Sequence, residues 1–249
     1  ASDVYKRQIR NIRKHLVFKI NKLQGIIMET KLIIVGGTKG GPGKSTVAQQ
    51  VAAGLQLKRG QKVHITDIDI QQTTTSWCEE RRNNKNLDLI AFSYIENDIV
   101  KHLQSLNGRY EYIVVDAGGF DSEIQREAML IADIVLLPLR PKRRDLKSLR
   151  DLDTVLESVK SSNPEVQIRA VLNQCPSLPS QVSRILSSKD IIESFGIKCA
   201  PTNIYTRNVY DDAEEAGRSI FEMKGKDRDK KAESEIEELV DYLMSLEAQ

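Results

Sequence analysis

From Met28 onward, short apolar runs alternate with longer stretches in which apolar residues recur at helical spacing. That is the pattern of successive β–α–β units and a parallel sheet. The runs predict strands at Lys31–Val35, Lys62–Thr66, Leu87–Phe92, Tyr112–Asp116, Ile134–Leu137 and Ile168–Leu172. Several are almost continuously apolar, as strands buried on both faces are. Between them, Lys44–Leu57, Asp98–Leu106, Ser122–Leu130, Asp145–Val159 and Ser180–Ser187 predict crossover helices, several introduced by a Ser or Asp cap. A last helix, Ala232–Leu246, gathers Ile236, Leu239, Val240, Leu243 and Leu246 on one stripe and should pack on the sheet through it. The fold class is therefore α/β, a predominantly parallel sheet with helices on both faces.

The first 27 residues stand apart. They carry seven Lys/Arg against one Asp, whereas the remainder has 30 basic and 34 acidic residues. Ile9, Ile12, Leu16 and Ile20, interleaved with Arg10, Arg13, Lys14 and Lys19, are compatible with a short basic amphipathic helix. Against that, Asp3-Val-Tyr-Lys-Arg-Gln8 is what GATGTGTATAAGAGACAG encodes, the end of a transposase adapter used in sequencing libraries. Residues 1–27 are accordingly expected to be an extension of artefactual origin, Met28 the true start, and 28–249 one ATPase domain.

Composition narrows the function classes. A chain of 249 residues can bury a two-faced sheet without disulfides or a metal staple. No apolar run approaches the ~20 residues of a membrane span. Cys78, Cys175 and Cys199 share no close spacing, which speaks against a disulfide framework or zinc site.

The chemistry lies at the end of the first strand. Lys31–Val35 runs into Gly36-Gly-Thr-Lys-Gly-Gly-Pro-Gly-Lys-Ser-Thr46 and directly into a helix. Polyphosphate needs several backbone N–H groups converging at a helix N-terminus, an approach that side-chain-free glycines permit. Gly40, Gly41 and Gly43 provide it, Lys44 reaches the phosphates, and the Ser45 hydroxyl is placed to ligate Mg²⁺ with Thr46 beside it. Asp67 and Asp69 stand at i and i+2 by a strand end, a spacing that faces both toward the carboxyl edge of the sheet. A solvated turn pair is the alternative.

Lys39-Gly-Gly-Pro-Gly-Lys-Ser-Thr46 resembles the deviant Walker A motif of the ParA/MinD superfamily of P-loop ATPases. The resemblance continues in order through Asp67-Ile-Asp69-Ile-Gln71, Thr75-Ser-Trp77, Tyr112–Gly119, Ala132–Leu139 and Arg207–Glu222. It implies hydrolysis of ATP to ADP and phosphate with Mg²⁺, and an ATP-sandwich homodimer in which Lys39 crosses to the partner's phosphates. By the same resemblance Asp116 holds Mg²⁺ through water, Asp67 supports the magnesium shell and Asp69 orients the attacking water. Asn173 contacts the base while Pro201 belongs to a loop over adenine; a buried loop-capping Asn is the alternative for Asn173. Two departures bear on the chemistry. Pro42 removes one N–H from the cradle, and Ile70 replaces the family's usual proline, leaving the segment around Asp69 less rigid.

The family divides between members that bind DNA and members that bind membrane. The glutamates of Ala232–Leu246 oppose an anionic bilayer. Lys142-Arg-Arg144, Arg218, and Lys224, Lys226, Arg228, Lys230 and Lys231 offer cations for DNA phosphates. The leading expectation is a cytoplasmic, nucleoid-associated ATPase for plasmid or chromosome partitioning, working with a small centromere-binding, ParB-like adaptor. No helix-turn-helix segment precedes Met28, in keeping with the small ParA type. The alternative is a positioning ATPase that acts on a protein cargo or, as MinD does, a membrane. A nitrogenase-iron-protein-like redox ATPase would need cysteines after the Walker B strand, and Cys175 and Cys199 fall too late for it.

Overall fold

The structure is a computed structural model that describes residues 30–37, 41–119 and 122–246. The expectations for residues 1–27 and for Lys39 and Gly40 lie outside the described residues.

Among the described residues, seven strands form one sheet: β1 (Lys31–Gly37), β2 (Val63–Asp67), β3 (Ala91–Tyr94), β4 (Tyr112–Gly119), β5 (Ile134–Leu139), β6 (Gln167–Cys175) and β7 (Lys198–Tyr205). Every pairing is parallel, in the order β3-β2-β4-β1-β5-β6-β7. The chain leaves β1 in one direction to reach β2 and leaves its neighbour β4 in the other to reach β5, so β1 and β4 bound the crevice where open α/β sheets bind ligands. The helices are α1 (Lys44–Ala53, continued by a π-helical turn Gly54–Lys58), α2 (Thr73–Asn83), α3 (Ile99–Leu106), α4 (Glu123–Leu130), α5 (Arg143–Lys147), α6 (Leu149–Ser162), α7 (Val182–Ser194), α8 (Asn208–Glu214) and α9 (Lys230–Ser245).

Both sheet faces are covered, and the period of two along a strand decides which residue joins which core. In β1, Ile33 and Val35 join the core under α1, α2 and α9, while Leu32 and Ile34 join the one under α3, α4, α6 and α7. The stripe expected on the last helix packs as anticipated: Ile236, Leu239, Val240 and Leu243 are fully buried.

Four expectations about elements need correction. The third strand covers Ala91–Tyr94 and not Leu87–Phe92, because side chains take up the carbonyls before it: Arg81 Nε donates to Asp88 O (2.7 Å) and Gln56 Nε2 to Leu89 O (2.8 Å). The expected helix Asp145–Val159 is two helices broken at Ser148, whose hydroxyl donates to Asp145 O at 2.5 Å. The helix expected at Ser180–Ser187 runs over Val182–Ser194. Finally, β7, α2 and α8 have no counterpart among the expected elements. Pro201 interrupts the apolar pattern of β7, an edge strand where a missing N–H is tolerated. The threonines that open α2 are weak helix formers.

Candidate active site

The described part of the phosphate loop takes the left-handed region at Gly41 (φ 64°) and again at Gly43 (φ 76°), and opens α1 through the bond Val47 N to Gly43 O at 2.9 Å. A side chain at Gly43 is excluded twice over, since a Cβ would meet Asn173 Nδ2 at 2.5 Å. Asn173 caps the loop: Nδ2 donates to Pro42 O (2.7 Å), and Oδ1 accepts from Gln174 N (2.8 Å). Gln174, itself at φ 51°, donates from Nε2 to Gly41 O at 3.3 Å. Sequence reasoning missed Gln174; its contact depends on a left-handed residue that no glycine announces.

Lys44 lies along Gly37, where a Cβ added to the glycine would stand 3.8 Å from Lys44 Cδ. Burial lowers its pKa, Asp116 and Asp69 pull it back up, and Arg140 lowers it further. A cation placed opposite carboxylates and partly stripped of water is suited to meeting a polyanion.

Three carboxylates converge from β2, the turn after it and β4. Asp116 is fully buried and lies across from Asp67 in the β2–β4 register and from Val35 in the β1–β4 register. Burial pushes its carboxyl up to about 7; hydrogen bonds from Thr74 and Ser45 act downward, and the charges of Asp67 and Asp69 act upward. Thr74 Oγ1 donates to Oδ2 at 2.6 Å, whereas buried Oδ1 has no hydrogen-bond partner among the described residues.

The two aspartates reach one site, as the i, i+2 spacing implied, but from the strand end and the turn after it and not from a single strand. β2 ends at Asp67, whose Oδ1 accepts from Asp69 N (2.9 Å) and whose Oδ2 accepts from Thr75 N (2.8 Å) and Thr75 Oγ1 (2.9 Å). Its carboxylate is thereby tied to the first turn of α2, and burial raises its pKa against those bonds. Asp69 sits in the following turn: Oδ1 accepts from Gln71 N (3.0 Å), and Oδ2 lies where a Cβ on Gly118 would approach to 2.8 Å. Ile70, next to it, is 80% exposed, consistent with a turn that lacks proline's restraint.

A cavity of about 250 Å³ adjoins the loop, lined among others by Gly43, Thr46, Asn173, Gln174, Thr206 and Arg207. Pro201 does not line it. It lies inside β7, between residues paired with β6, and not in a loop; the residues after the strand that line the cavity are Thr206 and Arg207. Ser45 and Thr46 occupy the first turn of α1, as a phosphate loop requires. Trp77 is in the core, 2% exposed.

The donor set fits a hydrated divalent cation. A buried carboxylate with one unpartnered oxygen, next to a serine hydroxyl and a lysine, is an arrangement that a cation and its water shell would satisfy.

Comparison with known proteins agrees with this geometry. The family model described as ATPase MipZ matches residues 31–166. The chain is 27% identical over 213 residues to the maintenance of carboxysome distribution protein A of Halothiobacillus neapolitanus, covering 85% of this chain and 95% of the relative. It is 26% identical over 198 residues to the protein ParA of Rhizobium radiobacter, covering 78% and 87%. An ATP complex of a McdA variant from Cyanothece superposes with a TM-score of 0.65 at 18% identity, over 88% of this chain and 98% of that one. At that identity the superposition speaks for the fold.

Proposed function

The chain belongs to the ATPase MipZ family, within the ParA/MinD superfamily, and from that premise we propose that its ATPase cycle switches a homodimer on and off DNA in order to position a cargo. ATP with Mg²⁺ is the substrate. Bound Mg²⁺ supplies positive charge to the phosphate oxygens of the nucleotide. The backbone from Gly41 to Gly43 receives the phosphates, Lys44 neutralises their charge, and Ser45 with Asp116 holds the cation's shell. Asp67 anchors the turn, which lets Asp69 orient the attacking water. Lys39 reaches the nucleotide of the second copy, and Asn173 keeps the loop in shape beside the base.

The observation that favours DNA is a broad groove between α5–α6 and α7, lined by Lys142, Arg143, Lys147, Arg150 and Arg184. None of the five takes part in an ion pair among the described residues. The other expected cluster is weaker. Arg228 is paired with Glu233 at 2.6 Å, and Asp227 and Asp229 interrupt the lysines. Phosphates of a duplex gain most from cations that no carboxylate has already neutralised.

A membrane reading fares poorly, because the apolar stripe of α9 is spent on the sheet, and no described helix is long and apolar enough to cross a bilayer. For the cargo, plasmid or chromosome DNA carried through a ParB-like adaptor is the first reading. The similarity to proteins named for carboxysome distribution favours a second, in which a protein body is positioned.

The test is binding of the full chain to a random-sequence duplex with ATP, ADP or no nucleotide, across a salt series, beside Lys39→Ala and Lys147→Glu/Arg150→Glu. Binding that requires ATP, drops by roughly tenfold or more between 50 and 200 mM salt, and disappears in both variants supports the proposal. ATP-dependent dimers that ignore DNA leave the ATPase standing and overturn the DNA step.

A further inference from the structure

Asp116 does not hold its orientation alone. We infer that Thr74 is a positioning residue for the Asp116 carboxylate, fixing which oxygen faces the candidate cation site; this rests on the site reading given above. Gln49 Nε2, from α1, donates to Thr74 Oγ1 at 3.2 Å, and Thr74 Oγ1 donates to Asp116 Oδ2 at 2.6 Å. All three side chains are at most 1% exposed. A hydroxyl has one proton. With the Gln49 amide donating to it, Thr74 directs that proton to Oδ2 and leaves Oδ1 as the acceptor without a partner.

The hydroxyl is held in place by more than its own backbone. Its neighbour Thr75 grips Asp67 through both N and Oγ1. Nearly two turns further along α2, Arg81 donates to Gly217 O (3.1 Å) and forms a two-pronged pair with Glu222 at 2.7 Å, and between them Trp77 Nε1 donates to Arg218 O at 2.9 Å. The helix is therefore fastened at both ends, and its first turn presents two adjacent threonines to two carboxylates on neighbouring strands. A valine at position 74 keeps the shape and loses the proton. Asp116 would then be free to turn either oxygen toward Ser45, or to rotate away.

The experiment is calorimetric titration of the full chain with ATP, in Mg²⁺ and in EDTA, for the wild type, Thr74→Val and Thr74→Ser. Because a hydrogen bond to a charged group is worth about tenfold or more in an equilibrium constant, Thr74→Val should lose about that factor of the affinity gained from Mg²⁺. ATP affinity in EDTA should stay within about twofold of the wild type, and Thr74→Ser should retain the Mg²⁺ gain. Emission from Trp77, the one tryptophan of the chain, reports that α2 is still packed. Should Thr74→Val fail to fold, Thr74→Ala takes its place against the same serine reference. A valine variant that keeps the full Mg²⁺ gain overturns the assignment, as does a serine variant that loses as much as valine. A wild type that gains nothing from Mg²⁺ overturns the site reading itself, an outcome separate from the failure of Thr74 alone.

Discussion

The two halves of the candidate site are built by different means. On the phosphate side, β1 to α1, the decisive features are backbone conformations, the left-handed Gly41 and Gly43, with Asn173 and Gln174 packed around them. On the carboxylate side, β2–α2 and β4, they are side-chain bonds between residues far apart in sequence: Thr74 to Asp116, Thr75 to Asp67, Arg81 to Glu222. A half made of backbone is most sensitive to a Cβ in the wrong place. A half made of buried polar pairs is vulnerable to any truncation that strands one partner.

The sharpest way to break the carboxylate side is Arg81→Met. Arg81 is 1% exposed, and its pair with Glu222, whose carboxyl lies below its usual range despite the upward effect of burial, also holds Ser219 N and Oγ at 2.9 and 2.8 Å. Removing the guanidinium leaves that partly buried carboxylate without its counter-charge, a loss of about 3 kcal/mol, the low end for such a pair because water and Ser219 still reach it. Urea unfolding should show it as a lower midpoint at unchanged slope. The double variant Arg81→Met/Glu222→Leu should recover much of the loss. No recovery would mean that the pair is not what joins α2 to residues 217–222.

A smaller effect on the same side comes from β2 itself. Burial depresses the His64 imidazole to about 4, and the charges of His102 and Arg109 press it the same way; the Tyr110 ring lies 5.0 Å from its own, and Thr66 Oγ1 lies 3.2 Å from Nδ1. The unfolded chain takes up a proton near pH 6.5 while the folded chain waits until about 4. Stability is therefore lost as pH falls through that window, by at most about 3 kcal/mol. Thermal melts from pH 7.5 to 4.5 should show the wild type losing stability relative to His64→Phe as pH falls, the difference isolating the imidazole from Asp116, whose raised pKa acts in the opposite sense. An unchanged slope in the variant would place the acid sensitivity elsewhere.

The same contrast explains what the sequence could reveal. Gly41, Gly43, Lys44 and Ser45 were legible because a phosphate loop restricts residue type at consecutive positions, and because a strand and a helix flank it visibly. Asp116 was legible through the resemblance of Tyr112–Gly119 to the superfamily's Walker B strand. Thr74 was not, since its bond spans 42 residues and nothing in a run of three threonines marks one as different. Pro201 misled for a related reason: proline reads as a loop residue, and the edge of the sheet, where its missing N–H costs little, is not visible before strand order is known. The unpaired character of Lys142, Arg143, Lys147 and Arg150 was equally hidden. Charge runs look alike in sequence, and the carboxylates that neutralise Arg228 but not Arg150 are a matter of packing.

The phosphate side is probed most finely by Gly43→Ala. A left-handed alanine costs about 1–2 kcal/mol, and the added Cβ meets Asn173 Nδ2 at 2.5 Å, so the amide must swing off Pro42 O. ATP affinity should fall by roughly ten- to a hundredfold, and the unfolding midpoint should drop at unchanged slope by the equivalent of that strain, about 1–2 kcal/mol. Strain and collision separate in a double-mutant cycle with Asn173→Ala. If the collision dominates, removing the amide restores part of the affinity lost in Gly43→Ala, although Asn173→Ala alone weakens binding. If the double variant is as weak as the two single losses combined, the loop is governed by its backbone torsion at Gly43, and the cap from Asn173 acts independently of it.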